Sequence, residues 1–153
     1  MPENRAEGPC AWVVGENGSV NWRGHHHEDC GRWLDAGICV FRVHSFDSRS
    51  VYSVVEDQMQ VTHAMMLADC YQALRMLSTH PSIDESRIGI AGWSLGGTVA
   101  LYSAWEPIAE SLAPAGERFA AHLPFYPAAH MTTAAQRGSD EAIPARPGRH
   151  DER

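Results

Sequence analysis

Ser94 stands in Gly92-Trp93-Ser94-Leu95-Gly96, directly after the apolar run Arg87-Ile88-Gly89-Ile90-Ala91. A serine with glycine two residues away on either side suits a sharp strand-to-helix turn, because only small residues let the two segments pass there. Such a turn exposes the hydroxyl as a nucleophile. The helix that starts beside it turns free N–H groups and a positive dipole end toward any oxyanion formed. This is a geometry for attack on an acyl carbonyl, with the N–H of Leu95 as the first oxyanion donor. The chemically silent reading of the same residues is a glycine-rich turn whose serine only caps the helix.

Other polar groups could take part. His25-His26-His27-Glu28-Asp29-Cys30 is the densest run of potential metal ligands. Adjacent histidines cannot all reach one ion from regular structure, so the run reads as a solvated polar loop leading into a helix or as the first turn of that helix, and no metal or other cofactor is expected. His44, Asp47 and Arg49 follow the end of an apolar run, where α/β folds bind ligands. Arg49 could hold a substrate carboxylate through two N–H bonds, or pair with Asp47. Trp93 either walls an acyl pocket beside Ser94 or packs structurally. His122 alternates within an apolar stretch and reads as a satisfied core or edge histidine.

The elements that must position these groups follow from hydrophobic periodicity. Short β-prone runs at Ala11–Val14, Ile38–Val43, Arg87–Ala91 and Phe119–Phe125 are expected to lie side by side. Helical spacing marks Glu28–Ala36, stopped by Gly37, and the long stretch Glu56–Thr79, stopped before Pro81. Val99–Trp105 continues the helix after Ser94, and Pro107–Gly116 reads as a connection. Strands alternating with helices call for an α/β fold with a mainly parallel sheet flanked by helices.

Composition narrows the function further. The chain has 153 residues, 44% of them hydrophobic, and carries a formal charge of −7. That charge argues against a nucleic-acid partner, which needs a basic face. No run approaches a membrane span, and the N-terminus lacks the basic and apolar regions of a secretory signal. Cys10, Cys30, Cys39 and Cys70 form no C-x-x-C pair, so a reducing cytoplasm is expected, with Cys39 a buried small hydrophobe. Residues 1–127 are expected to form the domain. Residues 128–153 hold Met131 and Ile143 as their only large apolar residues, and disorder is expected from about Thr132. This change of character suggests truncation or a shifted reading frame after Pro127.

Several of these segments occur in a family's order. Asp69-Cys70-Tyr71-Gln72-Ala73-Leu74, His80-Pro81-Ser82-Ile83-Asp84, Arg87-Ile88-Gly89-Ile90, the Ser94 motif and Phe125-Tyr126-Pro127 together resemble the serine-nucleophile branch of the dienelactone hydrolase family of α/β-hydrolases. The resemblance runs from Trp33 to Pro127, with Pro9–Asn21 matching more loosely. It implies hydrolysis of a small-molecule ester or lactone, with Ser94 as nucleophile and a second oxyanion donor from Gly18 or Ser19. The family's His-Gly pair after the first strand is replaced here by Glu16-Asn17-Gly18-Ser19. Its acid and His follow the nucleophile, and Asp140 and His150 are the residues in that order here, too close for an intervening helix and strand. The expectation is an incomplete α/β-hydrolase fold with the nucleophile present and no competent base, His122 and His130 being further histidines to weigh. A non-catalytic binding module on the same scaffold is the alternative. Either leaves a sheet edge uncovered, through which a homodimer could form.

Overall fold

The computed structural model describes residues 11–128. In chain order the elements are β1 (Trp12–Glu16), α1 (Gly24–Asp35), β2 (Cys39–Arg42), α2 (His63–Ser78), β3 (Ile88–Trp93), α3 (Leu95–Tyr102), α4 (Glu106–Leu112) and β4 (His122–Phe125). The strands form one sheet in the order β2-β1-β3-β4. Every pairing is parallel: Val14 sits opposite Phe41 and Ile90, and Ile90 opposite His122. Parallel neighbours need a crossover between them, which α1 supplies for β1 and β2. The four expected strands do lie side by side, and β3 is interior.

β3 is buried along its whole length, as the β-prone run Ile88–Ala91 requires of a strand covered on both faces. Val14, Ile88 and Ile90 join Met66, Cys70 and Leu74 of α2 and Val99 of α3 in the core. Each aliphatic side chain buried there contributes about 1.5–3 kcal/mol relative to exposure. Tyr71 ties α2 to α3: it is fully buried, and its phenol donates to the Ser103 carbonyl at 2.8 Å. Gly37 adopts φ +79° just past α1, the left-handed stop that glycine permits.

Four expectations change. Among the described residues β2 has a single neighbouring strand, and Cys39 to Phe41 are half-buried and Arg42 exposed, where a buried strand with a buried Cys39 was expected. α2 begins at His63 rather than Glu56, because Thr62 caps it by accepting the Met65 N–H on its hydroxyl. Met59, which fits the helical spacing, is therefore exposed in the preceding loop. Pro107 does not break the chain into a mere connection. It occupies the first turn of α4, where a missing N–H costs nothing. Lastly, of the two readings of the histidine run, the first helical turn holds and the loop does not: α1 starts at Gly24 rather than Glu28, and His26 is 3% exposed while His25 and His27 face solvent.

Among the described residues no helix is long and apolar enough to cross a membrane. Cys30 and Cys70 are buried thiols. Residues 128–153 were expected to form a separate tail; from residue 129 they lie outside the described range, as do Cys10, His130, Asp140 and His150.

Candidate active site

Ser94 joins β3 to α3. From Ile88 to Ala100 every residue is buried except Ser94, which is exposed. Its backbone takes φ 54° and ψ −109°, a region that costs a serine about 1–3 kcal/mol. The turn is possible because of its glycines. A Cβ on Gly92 would overlap the Gly96 carbonyl, one on Gly96 would overlap the Asn17 carbonyl, and one on Gly97 would lie 2.5 Å from the Phe125 carbonyl oxygen. α3 thus starts pressed against the ends of β1 and β4. Leu95 is its first residue, so the Leu95 N–H has no partner within the helix.

Ser94 opens into a cleft of about 370 Å³ lined also by Gly18, Ser19, Asn21, His26 and Tyr126. Four non-glycine residues take positive φ among the described residues: Asn21, Ser50, Ser94 and Tyr126. Of these, all but Ser50 line this cleft, so backbone strain concentrates where chemistry is expected. The Ser94 hydroxyl makes no hydrogen bond to another described residue.

The structure brings some of the singled-out residues together and separates others. Gly18 and Ser19 share the cleft with Ser94. Gly18 approaches closely: a Cβ there would sit 3.4 Å from the Trp93 carbonyl oxygen and 3.7 Å from the Ser94 Cβ. Trp93 is buried below the cleft, stacked on Phe125 at 5.5 Å, with its indole N–H donating to Asp29 at 3.1 Å. Arg49 is engaged elsewhere. Its guanidinium makes two bonds to the Asp69 carboxylate, at 2.6 and 3.0 Å, while Asp47 pairs with His44 and Asn21. His122 accepts or donates a bond to the Ser103 hydroxyl at 2.9 Å. It lies opposite Ile90, about 13 Å along the strand from Ser94 at 3.3 Å per residue. That distance removes His122 as a base for Ser94. Among the described residues, no group of three or more His, Cys, Asp or Glu side chains converges on a metal position.

Two residues near the site escaped the sequence reading. His26 lies beside Ser94 because β1 and β3 are neighbours, and the segments leaving their C-terminal ends meet over the sheet edge. Its Nδ1 accepts the Arg23 N–H at 3.0 Å, closing the first turn of α1. Burial, reinforced by His25 and His27, holds its pKa at about 4, so the ring is neutral near pH 7. Glu16, the last residue of β1, is fully buried. It accepts bonds from the Asn17 N–H, the Ser45 hydroxyl and the Cys70 thiol. Burial raises its pKa to about 8 against the opposing effect of these bonds. A position two residues beyond an expected strand gave no sign of such enclosure.

A family model described as alpha/beta hydrolase fold matches residues 62–149, more than half of the chain. No curated protein matches significantly. Among solved structures, a candidate dienelactone hydrolase from Klebsiella pneumoniae subsp. pneumoniae is 22% identical with a TM-score of 0.55, over 71% of this chain and 48% of that one. An acetyl xylan esterase from Paenibacillus sp. R4 is 22% identical with a TM-score of 0.54, over 78% of this chain and 40% of that one. The chain therefore spans less than half the length of either structure, and the likeness is one of fold.

Proposed function

Starting from a chain that belongs to the α/β-hydrolase family, we propose that the Ser94 cleft is a serine-hydrolase site for a small carboxylic ester or lactone. The observation that carries this is the exposure of Ser94 alone within a buried strand-turn-helix, at a strained φ. In this reading Ser94 Oγ attacks the acyl carbon and the carbonyl π bond opens to an oxyanion. That oxyanion lies against the Leu95 N–H, with a second donor from the Gly18–Ser19 loop. The Ser94 proton passes to a base as the O–C bond forms; the oxyanion then collapses, the base returns that proton to the departing alcohol oxygen, and water releases the acid from the acyl-Ser94 ester. Asp140 and His150 are the residues that stand in the family motif's order for acid and base, too close for the intervening helix and strand, so a working pair is not expected from them. We assign the protein to the cytoplasm, with no nucleic acid or membrane as partner. A homodimer through an uncovered sheet edge is part of the same proposal.

The nucleophile side and the base side differ in what supports them. Ser94 Oγ has no hydrogen-bonded imidazole among the described residues. Loss of a triad histidine costs about a millionfold in turnover in a serine protease. Steady-state hydrolysis of p-nitrophenyl acetate by this chain is accordingly expected to stay near background, with Ser94→Ala changing it little. Robust turnover that disappears in Ser94→Ala would contradict this and require a base that acts on Ser94. The unpartnered hydroxyl also favours a second reading, a binding module that kept the fold without the chemistry. That module would leave Ser94 inert to serine-directed phosphonylating reagents.

A further inference from the structure

We propose that His26 donates a hydrogen bond from Nε2 to the acyl oxygen of a substrate attacked by Ser94, so that the oxyanion hole has a side-chain donor from α1. The proposal rests on the Ser94 reading and adds a residue to it.

The argument is one of valence and position. A neutral imidazole has one N–H and one lone pair. The Arg23 N–H points at Nδ1 from 3.0 Å, so the lone pair is there and the proton is on Nε2. Protonating Nδ1 would set two N–H groups head to head and break the closure of the first helical turn. The same bond rules His26 out as the missing base, because the only lone pair on its ring is already used.

Nε2 has no partner among the described residues, although His26 is 3% exposed. An unmade bond in such a place costs stability unless something fills it. Among the described residues the fully buried side-chain atoms without a partner are Asn17 Oδ1, His63 Nε2, Trp12 Nε1 and Glu117 Oε2, and His26 Nε2 is not one of them. It therefore opens on the cleft that His26 lines with Ser94. The position a Cβ on Gly18 would occupy lies 3.7 Å from Ser94 Cβ and 4.0 Å from His26 Cε1, the carbon between the two ring nitrogens. The absent Gly18 side chain thus leaves a small space bounded by Ser94 Cβ and the imidazole. The ring is held by its neighbours, 4.9 Å from Trp93, 5.7 Å from Trp22 and 4.0 Å from His25 between centroids. A fixed, neutral donor of this kind needs no reorganisation when charge develops on the oxygen.

Two substitutions separate the donor from the helix cap. In His26→Gln the amide oxygen can accept the Arg23 N–H and the NH2 can still donate into the cleft. In His26→Glu the carboxylate can cap equally well but brings no donor. The full-length chain, each variant and Ser94→Ala are treated with a fluorophosphonate probe at pH 7.5, and the rate of labelling at Ser94 is measured. His26→Gln is expected to label about 10- to 100-fold faster than His26→Glu. A ratio below about tenfold would overturn the proposal, because loss of the donor and the added carboxylate charge must both slow attack in His26→Glu. Imidazole 15N–1H correlation spectra of the wild-type chain at pH 6 provide a readout independent of Ser94. The neutral Nε2–H tautomer of His26 is expected, and a Nδ1–H or cationic ring would overturn the proposal. A wild-type chain that is not labelled at all would instead remove the Ser94 reading itself, and this proposal with it.

Discussion

Gly92→Ala is expected to unfold the chain or leave it barely stable. The new methyl group would overlap the Gly96 carbonyl, and it would stand 2.9 Å from the Gly97 nitrogen. These are backbone atoms of the first turn of α3, so no side chain can rotate away. Relief requires moving α3 off the end of β3, which also breaks its contact with the Glu16 and Asn17 carbonyls at Gly96. A cost above about 4 kcal/mol is expected, comparable with the whole stability of a small domain. Gly31→Ala is the contrast. Nothing lies within 4 Å of a Cβ there, and Gly31 is inside α1, so that change should stabilise by about 0.5–1 kcal/mol. Urea unfolding followed by circular dichroism measures both. A Gly92→Ala midpoint near that of wild type would show that the elbow is not closed in this way.

The second large effect depends on pH. The Glu16 carboxyl in the folded chain keeps its proton up to about pH 8, chiefly because it is buried, against an ordinary value of 4.5. Below about pH 4.5 the folded and unfolded chains are both protonated there, and the stability is undiminished. Between 4.5 and 8 the unfolded chain releases the proton and the folded one does not, so stability falls by up to about 1.4 kcal/mol per pH unit. Above 8 both are ionised and the loss levels off. The total is on the order of 5 kcal/mol. Asp69 adds to the effect by repelling the Glu16 charge, and the Arg49–Asp69 pair keeps a cation close by. Glu16→Gln removes the ionisation. Its melting temperature should match wild type near pH 4 and exceed it by roughly 10 °C at pH 9. An offset between the two proteins that does not change with pH would contradict the buried, protonated carboxyl.

How much of this could be read from the chain depended on how local each feature is. The Ser94 turn is encoded within a few residues, since Gly92, Gly96 and Gly97 each meet a backbone oxygen that only a glycine accommodates. The parallel sheet was legible for a similar reason: the four β-prone runs are separated by stretches long enough for crossovers. α4 was not legible, because a proline reads as a breaker until its place in the first turn is known. His26 and Glu16 required tertiary knowledge. The polar pattern around His26 suits a solvated loop or a first helical turn, and only the adjacency of β1 and β3 turns it over Ser94. Glu16 is enclosed by residues as distant in sequence as Ser45 and Cys70.

Whether Ser94 is a chemical nucleophile is the central question, and phosphonylation reads it without needing turnover. Attack by Ser94 Oγ on a fluorophosphonate forms an O–P bond and expels fluoride, with the hydroxyl proton passing to solvent. An ordinary surface serine does not react at neutral pH; at a helix N-terminus the oxyanion donors favour the phosphonylation transition state, so labelling specific to Ser94 is expected, slower than in a hydrolase whose base is in place. Intact-mass and peptide mass spectrometry of the folded chain after treatment at pH 7.5 is therefore the direct test. One adduct, mapped to Ser94 and absent from Ser94→Ala, is the result this account predicts. A folded chain that remains unlabelled at Ser94 would contradict it and leave the fold as a binding module.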